Sequence, residues 1–183
     1  GEITPEVANL LNRDFYADQP NIKWLTGITE FAIPAGKVYL SPVIDCFDGM
    51  IVSWNVGTAP DSLLVNKMLE VAISTISPSE HPIVHTDRGS RYRWPGRIDR
   101  MNTAALTRSM SKKGCSPGNV ACEGFFGRLK NEIFYGRSWI DVSINSFIDE
   151  INNYIIWYNT KRIKQSLGYM SPVEYRHSLG LAV

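Results

Sequence analysis

Cysteine and histidine are scarce in this chain, with three of each among 183 residues. Cys46, Cys115 and Cys122 are too few and too unevenly spaced for a disulfide framework. His81, His85 and His177 form no metal-ligand pair with them, which excludes a zinc module as well. A reduced, intracellular setting is the simpler reading of that usage. Long apolar runs are also missing. No stretch approaches the roughly 20 residues that a bilayer span requires, and the N-terminus lacks a signal-peptide pattern. Repeats and low-complexity segments are absent too.

The remaining composition, 44% hydrophobic and 20% charged, is that of one ordinary globular domain with a sizeable core. The opening Gly1-Glu2-Ile3-Thr4-Pro5 reads as a cut in a longer chain, so further domains upstream are expected. A net charge of only +1 hides an asymmetry. Between Arg88 and Arg137 there are eleven Lys or Arg against Asp99, Glu123 and Glu132, a net +8, whereas residues 1–87 carry a net −7. A basic central third is what a phosphate-backbone surface requires. A solvated basic face with no polyanion partner has the same signature.

Three β-like runs come first, at 23–33, 37–46 and 50–57, joined by Pro34-Ala35-Gly36 and Phe47-Asp48-Gly49. Both connections are short enough for hairpins, so an antiparallel meander is expected. Pro42 cannot donate a ladder bond, which predicts an edge or a bulge there. A helix follows: Pro60-Asp61-Ser62 offers a cap, Val65, Met68, Leu69, Ala72 and Ile76 share one face, and Pro78 stops it. Pro82-Ile83-Val84-His85 reads as a buried strand reached by a parallel crossover. A short helix is expected near 99–105, a fifth strand at 106–110, a mobile loop at 111–117 and a helix over 119–134. A last long helix is capped by Ser143, with Ile144, Phe147, Ile148, Ile151, Tyr154, Ile155 and Tyr158 on one face. The order βββ-α-β-α-β-α-α predicts an α/β fold, a mixed sheet flanked by helices.

Two acids stand out. Asp87 ends an apolar strand and opens the glycine loop of His85-Thr86-Asp87-Arg88-Gly89, at the strand edge where α/β proteins place their sites. An acid in that place is also a common turn or cap residue. Glu123, Gly127 and Lys130 fall at i, i+4 and i+7, stacking a carboxylate, a residue without a side chain and a base on one helix face. Glycine in mid-helix costs about 1 kcal/mol against alanine and often marks a close approach. An exposed Glu opposing a Lys would look the same.

Longer strings decide between these readings. His85-Thr86-Asp87-Arg88-Gly89-Ser90, Arg108-Ser109-Met110-Ser111-Lys112-Lys113-Gly114 and Ala121-Cys122-Glu123-Gly124-Phe125-Phe126-Gly127-Arg128-Leu129-Lys130 resemble the integrase catalytic core of bacterial insertion-sequence transposases. So do Trp157-Tyr158-Asn159, Lys161-Arg162 and Ser166-Leu167-Gly168-Tyr169-Met170-Ser171-Pro172. The 35 residues between Asp87 and Glu123 match the gap between the second and third catalytic acids of that retroviral-integrase-like, Asp-Asp-Glu superfamily.

The resemblance implies a ribonuclease-H-like fold with a five-stranded mixed sheet. It divides the chain into a lead-in at 1–22, an integrase-type core at 23–160 and a basic tail with a short helix at 161–183. It also implies metal-dependent 3′-end cleavage and strand transfer of a mobile element, using Mg²⁺ or Mn²⁺, two ions where three acids are present. Double-stranded DNA and further copies of the chain are the implied partners, no membrane is involved, and the implied location is the bacterial cytoplasm, at the nucleoid. Arg88, Lys112, Lys113, Arg128 and Lys130 become candidate phosphate contacts, which position DNA and carry little sequence information.

The pattern breaks at its first acid. The family's Trp-x-x-Asp-Ile-Thr string reads Trp24-Leu25-Thr26-Gly27-Ile28-Thr29, so Gly27 stands where Asp is expected and supplies no ligand atom. Gly118 likewise replaces an Asp before Asn119. Glu30 falls on the opposite strand face from Gly27, and Asp45 lies on the neighbouring strand. Two other functions therefore stay open: an inactive DNA-binding or assembly module of transposase descent, and a ribonuclease-H-type nuclease. Trp24, Trp54 and Trp157 are read as core, and Trp94 as a base-stacking candidate. Lys161, Arg162 and Lys164 form either a second basic strip or a solvated helix end.

Overall fold

The computed structural model describes residues 15–86, 106–110 and 120–183, with backbone alone at 107–110, 120 and 121. Strands β1 (Lys23–Thr26), β2 (Thr29–Ile33), β3 (Gly36–Asp45), β4 (Ile51–Gly57), β5 (Ile83–Thr86) and β6 (Thr107–Met110) form one mixed sheet. β3 pairs antiparallel with β4 on one edge and with β2 and then β1 on the other. β1 continues the sheet in parallel to β5, and β5 to β6. The expected strand at 23–33 is thus present but divided at Gly27 and Ile28.

Pro42 explains the division. The register runs unbroken from Thr26↔Val43 to Thr29↔Leu40, which puts Gly27 opposite Pro42. The Cys46 amide donates to the Lys23 carbonyl at 2.9 Å, so this pair and every second pair after it, Gly27–Pro42 included, are the hydrogen-bonded ones. Proline has no N–H to give the Gly27 carbonyl. The Ser41 hydroxyl donates to that carbonyl instead, at 3.2 Å. β3 is paired on both sides, so the expectation of an edge position for Pro42 is corrected. Its missing donor is tolerated in a central strand because a side chain replaces it. A bulge does lie close by: Val43 pairs with Ser53 but Ile44 with Ile51, leaving Val52 as the extra residue.

Helices cover both faces. Helix α1 (Ser62–Ser74) starts at Asp61, whose side chain accepts from the Leu64 amide, and buries Leu64, Val65, Met68, Leu69 and Ala72. It packs on the face carrying Trp24, Val43 and Val84. The other face carries Leu25, Phe31, Leu40 and Ile44 and is covered by α2 (Val120–Leu129) and α3 (Ile144–Thr160). Ser143 caps α3 by accepting from the Ser146 amide, as its sequence predicts. The short helix α4 (Pro172–Ser178) packs on α3.

Two further corrections concern helices. The segment expected as one α-helix over 119–134 changes hydrogen bonding after Leu129. Lys130–Phe134 is a π-helical turn, closed by the Tyr135 amide on the Lys130 carbonyl at 2.7 Å. Trp157, read as core, is 42% exposed, because it lies on the flank of α3 against Tyr154 with its ring centre 5.7 Å away. Trp24 is fully buried, and Trp54 is half-buried with its indole N–H on Asn152. The expected helix near 99–105, the loop at 111–117 and Trp94 lie outside the described residues.

Candidate active site at the edge of β1 and β5

Face alternation decides where each candidate points. Trp24 packs toward α1, Leu25 toward α2, and Ile28 toward α1 again, so the alternation survives the break. Position 27 therefore faces α2, the helix that carries Glu123. Gly27 itself is buried, one residue past the end of β1. Parallel pairing of Trp24 with Val84 and of Leu25 with His85 brings the ends of β1 and β5 side by side. His85 is buried edge-on against Phe15, ring centres 5.7 Å apart. Thr86 is the last described residue of β5. Asp87, Arg88, Lys112 and Lys113 lie outside the described residues.

Glu123 is exposed in the first turn of α2, where the positive end of the helix dipole favours a carboxylate. Cys122, Phe125, Phe126 and Leu129 on the same helix are buried against Leu25 and the core of that face. Gly127, one turn beyond Glu123, is open among the described residues: none of them lies within 4 Å of where a Cβ would stand.

The basic residues of α2 and its extension are engaged within the chain. Arg128 is exposed and donates to the Tyr158 hydroxyl at 3.4 Å. Lys130 is half-buried, its ammonium 3.0 Å from the Glu30 carbonyl oxygen and 5.1 Å from the Phe31 ring centre. Burial pulls that ammonium below its usual range, and Glu30 opposes the shift. The i+7 stacking of Lys130 on Glu123 is thus redirected toward β2 at the first residue of the π turn.

Neither spare acid reaches the Gly27 side. Glu30 lies on the opposite face, as its spacing predicts, and accepts from the Tyr39 hydroxyl at 2.9 Å beside Lys37. Asp45 pairs in register with Trp24 and so faces α1. Its carboxylate accepts from the Asn21 and Phe47 amides, both at 2.9 Å, and from Arg176 at 3.2 Å. Burial pushes the Asp45 carboxyl up, opposed by those hydrogen bonds and by the Arg176 charge. Arg176 also binds Asp48 at 2.6 Å and 3.0 Å, which makes this a structural ion-pair cluster. Among the described residues, no three or more His, Cys, Asp or Glu come together as a metal site.

Two of the tail's basic residues are engaged within the chain. Arg162 grips Glu132, and Lys164 donates to the Asp48 carbonyl at 3.1 Å, while Lys161 is exposed. Sequence reading missed the Glu132–Arg162 pair, which lies 30 residues apart with no local spacing to signal it.

The fold is shared with solved integrase cores. The HTLV-2 integrase catalytic core domain in complex with magnesium (trimeric form) superposes with a TM-score of 0.62 over 86% of this chain and 97% of that one, at 16% identity. A simian T-cell lymphotropic virus intasome gives 0.63, over 90% of this chain and 55% of that one, at 15% identity. The fold is accordingly ribonuclease-H-like. Two family models, both described as integrase core domain, match residues 17–116 and 123–179.

The chain belongs to the integrase core family of insertion-sequence transposases, a family of polynucleotidyl transferases. It is 62% identical over 181 residues to the probable transposase for insertion sequence element IS1353 of Shigella flexneri, covering 99% of this chain and 35% of that protein. It is 39% identical to the putative transposase InsK for insertion sequence element IS150 of Escherichia coli, covering 97% and 62%. A transposase-like protein of Haemophilus influenzae is also 39% identical, over 96% and 80%. The chain thus spans between about a third and four-fifths of the length of these relatives. No helix among the described residues is long and apolar enough to cross a membrane.

Proposed function

We propose that this chain is the catalytic core of a transposase that cuts and joins the 3′-ends of a mobile DNA element, disabled at its first acid by Gly27. The observation that carries the proposal is face alternation across the broken strand: position 27 looks toward the Glu123 helix and holds no ligand atom. Asp87 and Glu123 are then the two remaining acids.

Two carboxylates suit one Mg²⁺ or Mn²⁺, which commonly takes one or two acids together with substrate phosphate. The full two-ion set does not fit, because position 27 has no donor and both Asp45 and Glu30 face away. When bound, the metal would polarise phosphate and the attacking oxygen. The chain's own contribution would be to offer the carboxylates of Asp87 and Glu123 to the metal and basic side chains to the DNA backbone. Arg88, Lys112, Lys113 and Arg128 are the proposed phosphate contacts. Lys130 joins them only by leaving the Glu30 carbonyl. Element-end and target DNA are the substrates, in the bacterial cytoplasm, and pairing of two ends calls for more than one copy.

The test is Mn²⁺-dependent joining of a labelled DNA 3′-end by the full-length protein, with and without Gly27→Asp. Gly27→Asp is expected to join ends at least a hundredfold faster, since a misassembled site commonly costs on the order of 10² in rate. Equal rates would overturn the disabled-site reading. Cleavage of an RNA–DNA hybrid in preference to DNA joining would replace it with a ribonuclease-H-type activity. Salt-dependent DNA binding with no joining by either form would favour an inactive binding module.

A further inference from the structure

The helix carrying Glu123 is held by two kinds of contact. Cys122, Phe125, Phe126 and Leu129 bury its inner face. Such packing is non-directional. Among the described residues, directional bonds to α3 and the segment after it are made at the far end. The π turn carries Glu132, whose carboxylate is gripped by Arg162 through Nε at 2.8 Å and Nη2 at 2.7 Å. The Tyr154 hydroxyl donates to its other oxygen. Arg162 is itself fixed at the end of α3, its amide on the Trp157 carbonyl at 2.9 Å and its guanidinium 5.4 Å from the Tyr158 ring centre. One turn earlier, Arg128 reaches the Tyr158 hydroxyl.

We infer that Glu132, clasped by Arg162 and Tyr154, is a positioning residue that fixes the axial register of the Glu123 helix on the sheet. The inference rests on the proposed reading of Glu123 as a metal-site acid. Glu132 lies nine residues from Glu123, about 14 Å along the axis, too far to share a metal ion with it. A short, well-packed helix carries a shift at one end to the other with little loss. The clasped carboxylate lies on the π turn, where it meets Tyr154 of α3 and Arg162 just past the end of α3. Burial alone would raise the Glu132 carboxyl. The hydrogen bonds from Arg162 and Tyr154, with the Arg162 charge, outweigh burial and keep it ionised below its ordinary range.

The experiment follows Mn²⁺ and Mg²⁺ binding by this chain carrying Gly27→Asp, using electron paramagnetic resonance for Mn²⁺ and competition for Mg²⁺. Glu123→Gln identifies the site, and thermal melts report folding. Glu132→Gln and Tyr154→Phe are each expected to weaken binding by about tenfold, the usual scale for groups that orient a ligand. Mg²⁺ should suffer more than Mn²⁺, because it demands near-ideal octahedral geometry. Arg162→Lys should recover part of what Arg162→Gln loses. Glu150→Gln breaks the Arg137–Glu150 pair, which also ties this region to α3 at 2.7 Å, and should leave binding unchanged. Lower melting temperatures with unchanged binding of both metals would overturn the inference and leave the clasp purely structural. A Gly27→Asp protein with no Mn²⁺ site sensitive to Glu123→Gln would remove the metal reading and the inference together.

Discussion

At position 27 one residue is asked for two things: to leave its carbonyl with a partner, and to present a ligand toward α2. The first is met from outside the residue, since Ser41 donates where Pro42 has no N–H. A buried carbonyl stripped of its donor costs about 1–3 kcal/mol, and Ser41 is the donor to Gly27 among the described residues, so Ser41→Ala should destabilise the chain by that amount. Pro42→Ala restores an N–H in register, and in that background Ser41→Ala should cost far less. Urea melts of the four-member cycle would measure the coupling, and additive costs would refute the account. The second demand goes unmet, because a glycine can supply no carboxylate. Sequence comparison with the family's Trp-x-x-Asp-Ile-Thr string exposed that deficit at once. It could not show that Asp45 is committed to Arg176 on the other face, because that needs the register Trp24↔Asp45.

Among the elements, α1 and α3 were legible because cap and periodicity agree: Asp61 and Ser143 cap the helices whose buried faces the sequence spells out. The π turn was not legible, since Lys130–Phe134 has ordinary helix formers and the partners of its Glu132, Arg162 and Tyr154, are distant in sequence. That pair also sets a pH dependence. With the folded Glu132 value below the ordinary 4.5, the unfolded chain binds more protons in the window between the two. Stability from this group is therefore full above about pH 4.5 and falls as pH drops through the lower folded value. Glu132→Gln should flatten that part of the acid melting profile; an unchanged profile would deny the clasp its charge. In α2, a Cβ at Gly127 would meet no other part of the described residues, so Gly127→Ala should raise stability by about 0.5–1 kcal/mol. If DNA backbone approaches there, the same change should weaken DNA binding by the full-length protein. A gain in stability with unaltered DNA affinity would place the DNA elsewhere.

Across the whole molecule, the two ends of the sheet serve different purposes. The ends of β1 and β5 carry the candidate site, while the opposite end is locked by Asp45, Asp48 and Arg176, which fasten α4 to the β3–β4 turn. Removing one member of a buried ion pair strands the other, so Asp48→Ala should cost about 3–5 kcal/mol in denaturant unfolding. A loss under 1 kcal/mol would show that Asp45 alone satisfies Arg176. The class of fold was readable because strand order, crossover and family strings agreed. The lock was not, since Asp48 and Arg176 lie 128 residues apart and each reads locally as a surface charge.

The claim on which everything turns is that position 27 faces the Glu123 helix and lacks a metal ligand. Crystals of the Gly27→Asp chain soaked in Mn²⁺ test it directly through the metal's anomalous signal. The account predicts a peak between the introduced carboxylate and the acids Asp87 and Glu123, and a weaker peak or none in crystals of the unaltered chain. A peak of equal strength in both would show that position 27 is not part of the metal site. So would a peak that appears only beside Asp45 and Asp48.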